Sequence, residues 1–197
     1  MTPFNEQQPD RIHEERREQI KSAALKVFAL RGIAGTKMSM IAAEAGISQG
    51  LSYRYFNSKE ELFTLLVEEA MERAQEAVQN IAHLPGTPVE QIRALTIRML
   101  DASHKHYFLL LQQAQASDEV PAKAKQIIAA YSPQDTIGGL IPLFVKGQQT
   151  GDFCAGDPYQ LLFLYFSVIT GLMLQEAHSA EGHWLQDVDI LMKMVTK

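Results

Sequence analysis

Cysteine is nearly missing from this sequence: Cys154 stands alone among 197 residues. No disulfide can close within the chain and no cysteine metal cluster can form, which fits a reducing, cytoplasmic setting. Long hydrophobic runs are missing too. The most apolar stretch, Leu161 to Leu174, is interrupted by Ser167, Thr170 and Gly171 and falls short of the roughly 20 residues a membrane span needs. A buried helix is expected there, with no membrane partner. The opening residues Met1-Thr2-Pro3-Phe4-Asn5 lack the apolar core of a signal peptide. No stretch alternates apolar and polar residues long enough for a sheet. Nor is there a phosphate-cradling glycine loop, a nucleophile elbow or a zinc-ligand pair at helical spacing. His104 and His106, two positions apart on a helix, point in different directions, which argues against joint metal ligation. Expected, then, are no catalytic residue, no metal and no cofactor.

Net negative charge excludes a uniformly basic nucleic-acid binder, but the distribution matters more than the total of -5. Residues 1–60 carry an excess of two positive charges and residues 61–197 an excess of seven negative ones. Positive charge at the N-terminus would suit phosphate contact.

What is present reads almost throughout as helix. Residues 1–10 are polar with two prolines and are expected to be a disordered tail. From Arg11, Ile20, Ala24, Val27 and Phe28 fall at helical spacing, and Gly32 is the natural stop. Met38 to Ala45 is a short helix broken by Gly46. Ser48 can cap a third, about Gln49 to Tyr55. Ser58 with Glu61 three residues on is a capping-box pattern that opens a long helix. Thr87-Pro88-Val89-Glu90 opens another, with cap, first-turn proline and glutamate in place. Ser132-Pro133 and Asp157-Pro158 pair a cap residue with a proline, Gly151 closes the helix begun at Pro133, and a last helix holds Trp184, Leu185, Val188, Leu191 and Met192.

Residues 38–56 carry the function. Met38, Ile41, Ala42 and Ala45 pack the first short helix, small alanines allow close approach, and Gly46 permits a tight turn plugged by Ile47. This is the recipe of a helix-turn-helix, whose second helix enters the major groove by its N-terminal residues. Gln49 can read a base edge, most naturally adenine, and Leu51 can touch a thymine methyl. Gly50 lets the backbone come close, with Ser48 as the cap. Tyr53, Arg54, Tyr55, Lys59 and Lys37 are candidates for phosphate.

The runs Gly32-Ile33-Ala34-Gly35-Thr36, Ile41-Ala42-Ala43-Glu44-Ala45-Gly46-Ile47-Ser48-Gln49-Gly50 and Tyr53-Arg54-Tyr55-Phe56-Asn57-Ser58-Lys59-Glu60-Glu61-Leu62 resemble the DNA-binding domain of the TetR family of repressors. The resemblance implies an all-α fold: an N-terminal three-helix helix-turn-helix domain fused to a C-terminal helical bundle for ligand binding and dimerisation. The boundaries read as a tail over 1–10, a DNA-binding domain over 11–60 reaching to about 74, and a ligand-binding and dimerisation domain over 61–197. It also implies a homodimer paired through its last two long helices, a double-stranded DNA operator with palindromic half-sites, and a small hydrophobic effector that releases the DNA. Met99, His104, Tyr107, Phe108, Phe144, Tyr165 and Phe166 are the candidate ligand-binding residues, chosen because adaptable and aromatic side chains suit apolar pockets. Two positions depart from the family pattern. Ser52 stands where an apolar residue is usual, which predicts looser local packing, and Met40 where an acid is common. The rival readings are a helical binding module that no longer touches DNA and a helical-bundle enzyme.

Overall fold

The computed structural model describes residues 7–131, 133–175 and 184–197. Among these residues there are ten α-helices and no strand, only an isolated antiparallel bridge between Phe153 and Thr196. In chain order the helices are α1 (Gln7–Arg31), α2 (Met38–Glu44), α3 (Gln49–Tyr53), α4 (Lys59–Gln79), α5 (Pro88–Leu100), α6 (Ala102–Ala116), α7 (Ala122–Ala129), α8 (Pro133–Thr150), α9 (Pro158–Gln175) and α10 (Trp184–Met192). Helix α1 starts at Gln7, four residues ahead of the Arg11 start read from the sequence. Residues 1–6 and Ser132 lie outside the described residues.

Local chemistry sets most boundaries. Gly32 and Gly151 directly follow α1 and α8, and Gly46 follows the C-cap Ala45 of α2; all three have positive φ (64°, 85° and 65°), where a side chain would be strained. Thr87 makes a full capping box with Glu90, and the Asp157 Oδ1 accepts from the Gln160 N–H at 2.8 Å. At α4 the Ser58 hydroxyl accepts from the Glu61 N–H (3.1 Å), while the Glu61 carboxylate accepts from the N–H of Asn57, one residue further back than in a standard box (3.0 Å).

Two apolar cores result. The first joins α1, α2 and the N-terminal half of α4 around Ile20, Phe28, Ile41, Phe56, Phe63 and Leu66, and takes Leu110 and Ala114 from α6 and Ala124 from α7 as well. The second joins α5, α8, α9 and α10 around Ile92, Phe144, Leu162, Tyr165, Ile169 and Val188. Helices α4 and α6 thus touch the first core at one end and the larger bundle at the other. No helix among the described residues is long and apolar enough to cross a membrane.

Candidate nucleic-acid interface

The turn between α2 and α3 is fixed by backbone bonds. The Ile47 N–H donates to Ala42 O (2.9 Å) and the Gly46 N–H to Ala43 O (3.1 Å), which satisfies the last carbonyls of α2 with Gly46 in the left-handed conformation. The Gln19 amide donates to Ala45 O at 2.6 Å and ties the turn to α1. The Ser48 hydroxyl then accepts from the Leu51 N–H at 3.2 Å and starts α3. Ser52 does not loosen this region as its polarity predicts. Its side chain is wholly buried, and its hydroxyl donates to Gln49 O at 2.8 Å, so the buried oxygen is satisfied.

On this frame Ser48, Gln49, Gly50, Tyr53 and Arg54 are exposed together, with Leu51 half-buried beside them. A Cβ at Gly50 would meet nothing within 4 Å; packing inside the chain does not require glycine there. Tyr55 faces the other way in part. It packs on the first core and stacks against His13 of α1, ring centres 4.7 Å apart. Phe56 is buried beneath the Arg17 guanidinium, 5.1 Å from its ring centre. Lys37 is exposed at the start of α2.

Lys59 has a different position from the one its charge predicts. Its ammonium donates to Ile33 O (2.8 Å) and Thr36 O (3.0 Å), both in the loop between α1 and α2. Two of its three donors are therefore committed within the protein. The adjacent Thr36 hydroxyl is buried and donates to Gly32 O at 2.7 Å. Lys59 anchors the loop that carries Lys37.

The seven residues named as candidate ligand contacts do not gather around one void. Phe144 and Tyr165 are fully buried in the second core. Phe144 stacks on Phe153 at 4.4 Å, and the Tyr165 hydroxyl pairs with that of Thr96 at 2.7 Å; burial makes Tyr165 a weaker acid than an ordinary tyrosine, and the hydrogen bond with Thr96 only partly offsets this. Met99, Phe108 and Phe166 pack half-buried on the same core, whereas Tyr107 packs on the first core beneath Arg73, 4.8 Å from its ring centre. His104 accepts from Arg98 at 3.3 Å, and burial followed by that cation lowers its pKa.

A cavity of about 570 Å³ lies elsewhere, between the end of α4, the start of α5, the end of α7 and α8. Gln75, Val78, Gln79, Gln91, Tyr131, Thr136, Gly139, Pro142, Leu143 and Lys146 line it, and none of the seven candidates does. Its size falls within the range of small-molecule sites. The sequence held one pointer to it. Gly138, Gly139 and Pro142 sit within the apolar stretch 137–145 of α8, and interior glycine marks close approach; a Cβ at Gly139 would lie 2.7 Å from Val78 Cγ1.

These features define a class: a helix-turn-helix DNA-binding module built onto a helical ligand-binding bundle. Residues 20–66 match the family described as bacterial regulatory proteins, tetR family. The chain is 27% identical over 167 residues to the HTH-type transcriptional repressor NicS of Pseudomonas putida, covering 82% of this chain and 76% of that one. It is 30% identical over 93 residues to the HTH-type transcriptional regulator PksA of Bacillus subtilis, covering 47% and 45%. The solved structure of the ketosteroid transcriptional regulator KstR2 of Mycobacterium tuberculosis superposes with a TM-score of 0.67 at 21% identity, covering 92% and 95%. Residues 20–66 thus carry the DNA-binding region of the tetR family, and the fold of the whole chain is that of TetR-like regulators.

Proposed function

We propose that this protein is a homodimeric repressor whose paired α3 helices occupy successive major grooves of a palindromic operator, about 34 Å apart, and that a small effector bound in the 570 Å³ cavity favours a dimer unable to hold that spacing. Gln49 and Leu51 read bases; Lys37, Tyr53 and Arg54 contact phosphates. Tyr55 contributes through its edge. The single observation that supports this most is the capped α3, with Gln49, Gly50, Tyr53 and Arg54 exposed side by side while Ser52 and Phe56 lock the helix from beneath.

The dimer reading draws on α9. Gln160, Phe163, Leu164, Ser167, Val168, Gly171 and Leu174 are all exposed and recur at the spacing of one helical face. Phe163 is 51% and Leu164 58% exposed, and Ile190 on α10 is 62% exposed. Such a contiguous apolar face marks an interface, and its small residues allow close helix approach.

A mobility-shift series on the DNA upstream of the protein's own gene tests the reading. Wild type should retard that fragment and lose it to single-base changes in either half-site. Gln49→Ala should relax preference at one base pair per half-site by about 1–3 kcal/mol. Equal binding to unrelated DNA of the same length would overturn the assignment.

A further inference from the structure

The cavity has a polarity along its length. On α8 the lining residues Thr136, Gly139, Pro142, Leu143 and Lys146 fall on one stripe. Ten residues separate the first from the last, about 15 Å at 1.5 Å per residue. One end carries the paired hydroxyls of Tyr131 and Thr136. Between these ends Pro142 and Leu143, with Val78 and Ile81 from across the cavity, supply apolar lining, and Gln75, Gln79 and Gln91 supply amides. The other end carries Lys146, an exposed residue whose side chain ends in an ammonium. Among the described residues, Lys146 is the only charged group lining the cavity, and no Asp or Glu does. The acidic excess of residues 61–197 favours a cationic ligand on bulk charge alone, but the lining carries the opposite sign.

We propose that the cavity takes an elongated amphipathic anion, its carboxylate or similar head against Lys146 and its chain along the slot toward Tyr131 and Thr136. An aliphatic cation would place its charge beside an ammonium, and a neutral chain would forgo the charge-assisted bond, which is roughly twice as strong as a neutral one. The proposal rests on the reading of this cavity as the effector site.

The test uses the full chain with three probes of one length kept below their critical micelle concentrations: dodecanoate, dodecanol and dodecyltrimethylammonium. Calorimetry should rank them in that order. Lys146→Gln should weaken dodecanoate about tenfold and leave dodecanol within about twofold. Lys146→Glu should move the preference to the cation. Lys146 is exposed, and circular dichroism verifies that both variants stay folded. Dodecanoate binding that ignores both substitutions, or tightest binding of the cation to wild type, overturns the proposal. Operator release is read separately by mobility shift. Binding that depends on Lys146 without release upholds the head-group assignment and defeats the effector reading alone.

Discussion

Gly50 and Lys59 behave, at the scale of single residues, opposite to what their types advertise. Glycine inside a helix ordinarily signals crowding, yet the space beside Gly50 is open. If that space belongs to DNA, Gly50→Ala should leave the free protein as stable or raise its stability by up to about 0.5–1 kcal/mol through lower unfolded-chain entropy, while operator affinity falls. Thermal melting and mobility shift on the same preparation check this; unchanged affinity would remove the backbone-approach role. Lys59 should show the reverse pattern. Its hydrogen bonds to Ile33 O and Thr36 O are internal, so Lys59→Met should cost about 1–3 kcal/mol of stability and leave the slope of log affinity against log salt unchanged. Lys37→Ala and Arg54→Ala should each flatten that slope by about 0.9 for every phosphate no longer neutralised. A flatter slope for Lys59→Met at intact stability would return that residue to the phosphate set. Lys59 was legible as a cation but not as an anchor, because its partners lie 26 and 23 residues away along the chain. Ser52 is the complementary case. Its type signals polarity, and only the fold shows its hydroxyl satisfied by a carbonyl three residues back.

Between elements, α1 and α4 share an apolar core and, beside it, an ionic contact. Lys21, 7% exposed, sets its ammonium against Glu18 at 2.6 Å and Glu69 at 2.5 Å, while the second oxygen of Glu69 is buried without a partner among the described residues. Burial pulls the Lys21 pKa down, but hydrogen bonds to both carboxylates and their charges outweigh it and hold it above the ordinary 10.5. The folded state therefore keeps this proton longer than the unfolded chain. The stability it contributes is complete below about pH 10.5 and is lost as pH rises through the folded value. Lys21→Met should flatten that alkaline loss and, near neutral pH, destabilise by about 2–3 kcal/mol, less than the ~3–5 of a fully enclosed pair because Glu18 is half exposed. Lys21→Met combined with Glu69→Leu should recover most of the deficit, since both charges then leave together. Urea melts of the two variants decide this; additive losses would show that the ion pair is not the link. Capped boundaries were legible at this scale because cap chemistry is local: Ser48, Ser58, Thr87 and Asp157 each act within four residues. The break between α5 and α6 was not. It falls at Asp101, whose extended backbone (φ -64°, ψ 139°) carries neither glycine nor proline to announce it. The candidate ligand residues lie away from the cavity for a related reason. Aromatic and methionine side chains report burial, and Phe144 and Tyr165 fill the core, whereas the cavity is lined largely by glutamines, small residues and Lys146.

At the scale of the whole molecule, the proposed grip on an operator needs geometry that one chain cannot supply. A single α3 presents few base-reading groups, so useful affinity requires two copies at fixed separation, and that separation is set far from DNA by whatever pairs the bundles. The exposed face of α9 is the strongest candidate, and Leu164 lies at its middle with 58% of its surface exposed. Leu164→Asp should leave the monomer folded, because the side chain is outside both cores. It should shift the mass seen by light scattering at micromolar concentration from dimer to monomer, since a desolvated carboxylate facing its twin is costly. The half-site contacts would be untouched, yet binding to the full operator should drop by orders of magnitude toward that of one half-site, because the second half-site is no longer engaged at high effective concentration. A dimer that persists in this variant with normal operator binding would place the interface elsewhere. A monomer that still binds the full operator tightly would mean that the spacing of the two recognition helices is imposed by the DNA itself, and the effector would then have no dimer geometry to act upon.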